Sequence, residues 1–69
     1  VIEVRTCYDW RGTFELDAAA DNAAGRPSDF GGCGFGGRDL GWVCKSEIEA
    51  EKIKRALDKI GLRAEIRQT

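Results

Sequence analysis

The run from Ser46 to Gly61 limits what this chain can fold into more than any other stretch. Ser46-Glu47-Ile48-Glu49 has the form of a capping box, in which the serine accepts from an early backbone N–H and Glu49 reaches back. Ala50, Ile53, Ala56, Leu57 and Ile60 then recur at three- and four-residue spacing, which places them on one face of a helix. Gly61 follows as the residue suited to the left-handed conformation that closes a helix. Arg38–Lys45 before this run and Leu62–Arg67 after it alternate apolar with polar residues and read as strands. The C-terminal half is therefore predicted to be strand–helix–strand, with its main helix at Ser46–Ile60.

The N-terminal half opens with a strand over Val1–Trp10. Ile2, Val4, Thr6, Tyr8 and Trp10 alternate with Glu3, Arg5, Cys7 and Asp9, the period of a half-buried strand. Arg11-Gly12 can turn the chain. Two continuations are open from there. Thr13–Leu16 can pair back as a hairpin strand, or the chain can enter a short helix through Asp17-Ala-Ala-Ala-Asp21-Asn22-Ala-Ala-Gly25, the favoured reading. Alanine is the best helix former, and Gly25 with Pro27 makes an ordinary stop. Leu16, Ala19, Ala20 and Ala23 would give that helix a thin apolar stripe. Ser28–Gly37 holds five of the nine glycines, interleaved with Phe30, Cys33 and Phe35. It reads as a loop or weak edge hairpin, or else as backbone that must approach something closely.

The expected class is α+β: a small antiparallel or mixed sheet with the main helix packed on one face. With the alanine helix and a short strand near Phe30–Phe35, the order is βαββαβ, the split-βαβ (ferredoxin-like) layout. With the hairpin instead, it is ββ, loop, βαβ. No internal repeat or domain boundary is visible, so residues 1–69 read as one domain. A chain of this size buries only about 60% of the surface its unfolded form exposes, so modest stability is expected.

The run from Ser46 to Ile66 resembles the helix-then-strand ending of the C-terminal domain of the bacterial ribosomal stalk protein family, an ending that many split-βαβ modules share. The resemblance covers under a third of the chain. What it implies is limited to a capped helix followed by a strand.

Charge and composition narrow the function. The net charge is −1 with 33% charged residues, so bulk electrostatics favours neither nucleic acid nor an anionic membrane. No run of about 18 apolar residues is present, so no membrane span is expected. With no basic-then-apolar amino terminus, no secretory signal is expected on this chain. Cys7, Cys33 and Cys44 are an odd count that fits a reducing cytoplasm.

Several motifs are weaker than they look. Gly32-Cys33-Gly34-Phe35-Gly36-Gly37 matches G-x-G-x-x-G, but the dinucleotide fingerprint needs a preceding strand and a helix opening at the glycines. The three cysteines lack the C-x₂₋₄-C spacing of a zinc site and there is no histidine to complete one, so no metal or other cofactor is expected. Cys7 and Cys44 read as small apolar strand residues, able to form a facultative disulfide should their strands be neighbours. Cys33 is the candidate reactive thiol, and a thiol or metal switch through it ranks last. Without histidine the usual neutral-pH proton shuttle is missing. Asp9 and Asp39 would have to meet across strands to supply a carboxylate pair. The chain is therefore read as a non-enzyme.

The surfaces carry what functional signal there is. Lys52, Arg55 and Lys59 stack into a basic helix ridge beside an acidic one of Glu47, Glu51 and Asp58. Glu51–Arg55 and Lys54–Asp58 are i,i+4 ion pairs. Ile48 projects among the basic residues rather than with the core positions. Trp10-Arg11 at a turn tip are residue types enriched at binding hot spots, while Trp42 alternates with Leu40 and Cys44 as core. The expected function is a small protein-interaction module, an adaptor or inhibitor docking on a larger protein. Its candidate contacts are Trp10, Arg11, Phe30, Phe35, Arg38, Lys52, Arg55 and Lys59. The alternative is single-stranded nucleic-acid binding, with sheet aromatics stacking on bases and Arg5, Arg63, Arg67 and the basic ridge holding phosphates. A homodimer through an exposed edge strand is left open.

Overall fold

The computed structural model describes residues 1–9, 15–34 and 37–68. The elements run β1 (Ile2–Asp9), α1 (Glu15–Ala24), β2 (Phe30–Gly34), β3 (Gly37–Cys44), α2 (Glu47–Lys59) and β4 (Ala64–Gln68). The four strands form one antiparallel sheet in the order β2-β3-β1-β4, so β1 and β3 are inner strands and β2 and β4 are edges. The class is α+β. The hairpin continuation is overturned where it can be judged, because Glu15 and Leu16 open α1. Acidic residues in the first turn and the alanine run favour helix there. Thr13 and Phe14 lie outside the described residues.

Register explains the core. Val4 faces Trp42 on one side and Ile66 on the other, and Thr6 faces Leu40 and Ala64. Alternation thus puts Ile2, Val4, Thr6 and Tyr8 on the side that the helices cover, together with Leu40, Trp42, Cys44, Ala64 and Ile66. Val4, Leu40, Trp42 and Leu57 are the largest fully buried side chains. Thr6 is a buried polar residue in this layer, and its hydroxyl donates to the Arg63 carbonyl at 2.8 Å. The Trp42 indole N–H likewise reaches the Arg26 carbonyl at 3.1 Å. No buried side-chain N or O among the described residues lacks a partner.

The main helix forms as its caps dictate. The Ser46 hydroxyl accepts from the Glu49 N–H at 3.2 Å, and the Glu49 carboxylate accepts from the Lys45 N–H at 3.0 Å, one residue before the expected partner. Ala50, Ile53 and Leu57 are buried, whereas Ile60 is 47% exposed and leaves the expected apolar stripe at the helix end. Gly61 has φ +87°. Its N–H bonds to the Asp58 carbonyl and the Leu62 N–H to the Leu57 carbonyl, with Leu57 and Leu62 both in the core.

The smaller helix differs from expectation in its rotation. Ala20 is fully buried and Ala23 and Ala24 pack beside it, but Leu16 is 41% exposed and Ala19 faces solvent. Asp17 sets this rotation. It turns inward to accept from the Tyr8 hydroxyl and from Arg38 Nε, the latter at 3.1 Å. Gly25 closes α1 with φ +84°. Because its inner face is alanine, α1 can pack closely against α2.

Candidate functional site

The helices leave the other face of the sheet uncovered. Alternation places Glu3, Arg5, Cys7 and Asp9 of β1 there, with Asp39, Gly41 and Val43 of β3, Glu65 and Arg67 of β4, and Phe30 of β2. Phe30 lies across Gly41, where an added Cβ would come within 2.1 Å of the ring. Gly41 is therefore the hollow that seats this aromatic. The Arg5 guanidinium lies 5.0 Å from the centroid of the same ring. Arg5, Cys7, Phe30, Asp39, Arg63 and Arg67 border a shallow depression of about 480 Å³.

Charges on this face are largely spent on one another. Arg5 pairs with Glu3 at 3.1 Å and Arg67 with Glu65 at 2.9 Å. Asp39 lies opposite Cys7 rather than Asp9, and accepts from its thiol at 2.8 Å. That hydrogen bond, with some desolvation, raises the Cys7 pKa above the ordinary thiol range. Cys7 is thus exposed, contrary to its expected burial, because its position in the alternation faces away from the helices. Cys44 packs in the core as expected, and the two thiols are free, on opposite faces of neighbouring strands. We expect Asp39→Asn to speed alkylation of Cys7 several-fold near neutral pH, because the thiolate is the nucleophile. Peptide mapping by mass spectrometry measures this, and an unchanged rate would show that Asp39 does not govern the thiol.

The second feature is a groove between α2 and edge strand β4. Ile2, Ile66 and Gln68 form its floor side, and Glu47, Ile48, Glu51, Lys52 and Arg55 its helical side, around about 680 Å³. Ile48 is 71% exposed, the most exposed large apolar residue among those described. It sits in the first turn of α2, a position the capping box fixes while Ala50, Ile53 and Leu57 point the apolar stripe elsewhere. The ion pairs along this helix are loose on the groove side, with Arg55–Glu51 at 4.0 Å, and tight beyond it, with Lys54–Asp58 at 2.6 Å.

The sequence candidates divide accordingly. Lys52 and Arg55 line the groove, and Lys59 is exposed further along the same helix. Phe30 belongs to the uncovered sheet face. Arg38 is placed on the helix side, bound to Asp17, where it fastens α1 to the sheet. Trp10, Arg11 and Phe35 lie outside the described residues, as does the side chain of Cys33. Within the glycine cluster, Gly32 and Gly34 belong to β2 and β3 begins at Gly37, so the G-x-G-x-x-G match opens onto a strand rather than a helix. Ile2, Ile66 and Gln68 were not candidates. Their alternation marks them as strand residues on the helix side, where they line the groove beside residues 47–55 of α2.

Comparison with known protein families, with curated proteins and with solved structures finds no match. Among the described residues, no group of three or more histidine, cysteine or acidic side chains is placed to hold a metal ion. No helix among them is long and apolar enough to cross a membrane.

Proposed function

We propose that this chain is a non-catalytic protein-interaction module, an adaptor or inhibitor of the cytoplasm, whose docking surface is the groove between α2 and β4. The element order and the strand order β2-β3-β1-β4 support reading it as a split-βαβ, ferredoxin-like layout. The observation that carries the functional reading is Ile48. A large apolar side chain exposed beside Ile2 and Ile66 and rimmed by Glu47, Glu51, Lys52 and Arg55 is the composition of a protein contact. The adjoining edge of β4 adds backbone groups that an incoming strand can pair with.

The nucleic-acid alternative has one observation in its favour, Phe30 with Arg5 beside it and Arg63 and Arg67 around the same depression. Against it, the uncovered positions of the inner strands β1 and β3 carry no aromatic. Glu3, Asp9, Asp39 and Glu65 also interleave with the arginines, two of which are already paired. Stacking would have to proceed from the edge, on a surface of interleaved charge.

The test is capture of partners by tagged protein from host extract, with and without nuclease and raised salt. The expected result is a stoichiometric protein that survives both treatments and is lost at least about tenfold on Ile48→Asp, a change at an exposed position that leaves the fold intact. Recovery that disappears with nuclease or falls steeply with salt would transfer the reading to nucleic acid.

A further inference from the structure

We infer that the occupant of this groove is a second copy of the chain, paired antiparallel through β4 about a two-fold axis at Ile66. The inference rests on the docking reading above and names the partner. An isologous contact requires a surface that complements itself, and the edge strand Ala64-Glu65-Ile66-Arg67-Gln68 does so in one register. With Ile66 on the axis, Glu65 lies opposite the partner's Arg67 and Arg67 opposite the partner's Glu65. Both charges stand on the uncovered face, as their pairing with Arg5 and Glu3 of β1 requires. An axis at Glu65 sets two glutamates opposite each other, and an axis at Arg67 sets two arginines. A shift of one residue in pairing places apolar against charged faces. Of the axes at Glu65, Ile66 and Arg67, only the one at Ile66 sets opposite charges against each other.

The helical side repeats the pattern. The same two-fold runs the two α2 helices antiparallel. Glu47, in the first turn, then approaches the partner's Arg55, beyond the middle of its helix. Ile66 of both copies meets at the axis and the two Ile48 side chains lie towards opposite ends of the joined groove, which covers the apolar surface that one copy leaves open. The two Glu65–Arg67 contacts within the strands, one in each copy at 2.9 Å, exchange for two contacts between copies.

Sedimentation equilibrium from micromolar to millimolar protein tests this. We expect association to twice the mass of one chain. Arg67→Glu sets carboxylates opposite each other twice and is expected to weaken the dimer at least about tenfold. The fourfold exchange Glu3→Arg, Arg5→Glu, Glu65→Arg and Arg67→Glu, which keeps opposite charges facing across β1 and β4 as well, is expected to restore it, with circular dichroism reporting an unchanged fold in each variant. A monomer throughout the range, or a dimer indifferent to Arg67→Glu, overturns the inference. The two readings fail separately. If the wild type is monomeric but loses its captured partner on Ile48→Asp, docking stands and self-pairing falls. If the dimer obeys the charge exchange but Ile48→Asp changes no capture, the reverse holds.

Discussion

Trp42→Ala is expected to remove a large share of the chain's stability. Trp42 is the largest fully buried side chain, on inner strand β3 opposite Val4 of inner strand β1. Truncating a buried tryptophan costs about 3–5 kcal/mol through lost transfer energy and the cavity left behind. A domain of this length has a total stability of roughly 3–10 kcal/mol. Trp42→Phe is the informative companion. It keeps most of the buried area but removes the indole N–H from the Arg26 carbonyl, at a cost of about 1–2 kcal/mol. Urea denaturation followed by circular dichroism measures both. A folded Trp42→Ala protein of near wild-type stability would mean that the core does not centre on this ring.

Arg26→Ala is expected to give the largest effect of any surface substitution. Arg26 lies between α1 and β2, and its guanidinium reaches three partners. It meets Asp29 at 2.9 Å, the Val43 carbonyl at 2.6 Å and Glu49 at 3.3 Å. Asp29 also accepts from the Val43 N–H at 2.7 Å, and Glu49 from the Lys45 N–H. One side chain thus ties the start of β2, the end of β3 and the first turn of α2. Because the guanidinium is a third exposed, solvent screening discounts the ties. The expected loss is about 1–2 kcal/mol, a fall in thermal midpoint of roughly 5–15 °C. The first turn it secures is the one that presents Ile48, so groove binding should weaken as well.

The same network predicts acid sensitivity. The Arg26 hydrogen bond, with that of the Val43 N–H, lowers the pKa of Asp29. The Lys45 N–H, with Arg26, lowers that of Glu49, and Lys54 with the Ala64 N–H lowers that of Asp58. Each group binds its proton less readily folded than unfolded. Its contribution is therefore complete above the ordinary carboxylate range near about pH 4, and is lost as pH falls through the lower folded value. The thermal midpoint should be flat around neutrality, where a chain without histidine has little to titrate, and drop below about pH 5. Arg26→Ala should shallow that drop. An acid limb as steep in the variant as in the wild type would assign it to other carboxylates.

Much of the fold is legible in local pattern. The Ser46 cap, the stripe of Ala50, Ile53 and Leu57 and the Gly61 stop were all readable, because each is fixed by neighbours a few residues away. So was the inward set of β1, with Trp42 as core. The rotation of α1 was not legible. It depends on Asp17 meeting Tyr8 and Arg38, residues 9 and 21 positions away along the chain, and an inward carboxylate reads in sequence as a solvent residue. Cys7 was misplaced for a related reason: residue type suggested burial, and alternation within β1 overruled it. The groove was half legible. Ile48 stood out because it departs from the apolar stripe, but its neighbours Ile2 and Ile66 come from the two strands most distant in sequence, and only the pairing of β1 with β4 brings them together.

That pairing also governs how the chain can be made. β1 leaves the ribosome before the other strands, yet both strands that flank it, β3 and β4, belong to the later part of the described chain. Contacts between such distant segments form slowly, because loop closure precedes the burial that stabilises it. Val4 and its neighbours therefore wait uncovered while α1, β2 and β3 are synthesised, and the sheet has no complete arrangement until Ala64–Gln68 has emerged. Folding of this domain waits on its last strand, and a nascent chain stalled before β4 is the form most exposed to aggregation or to a chaperone.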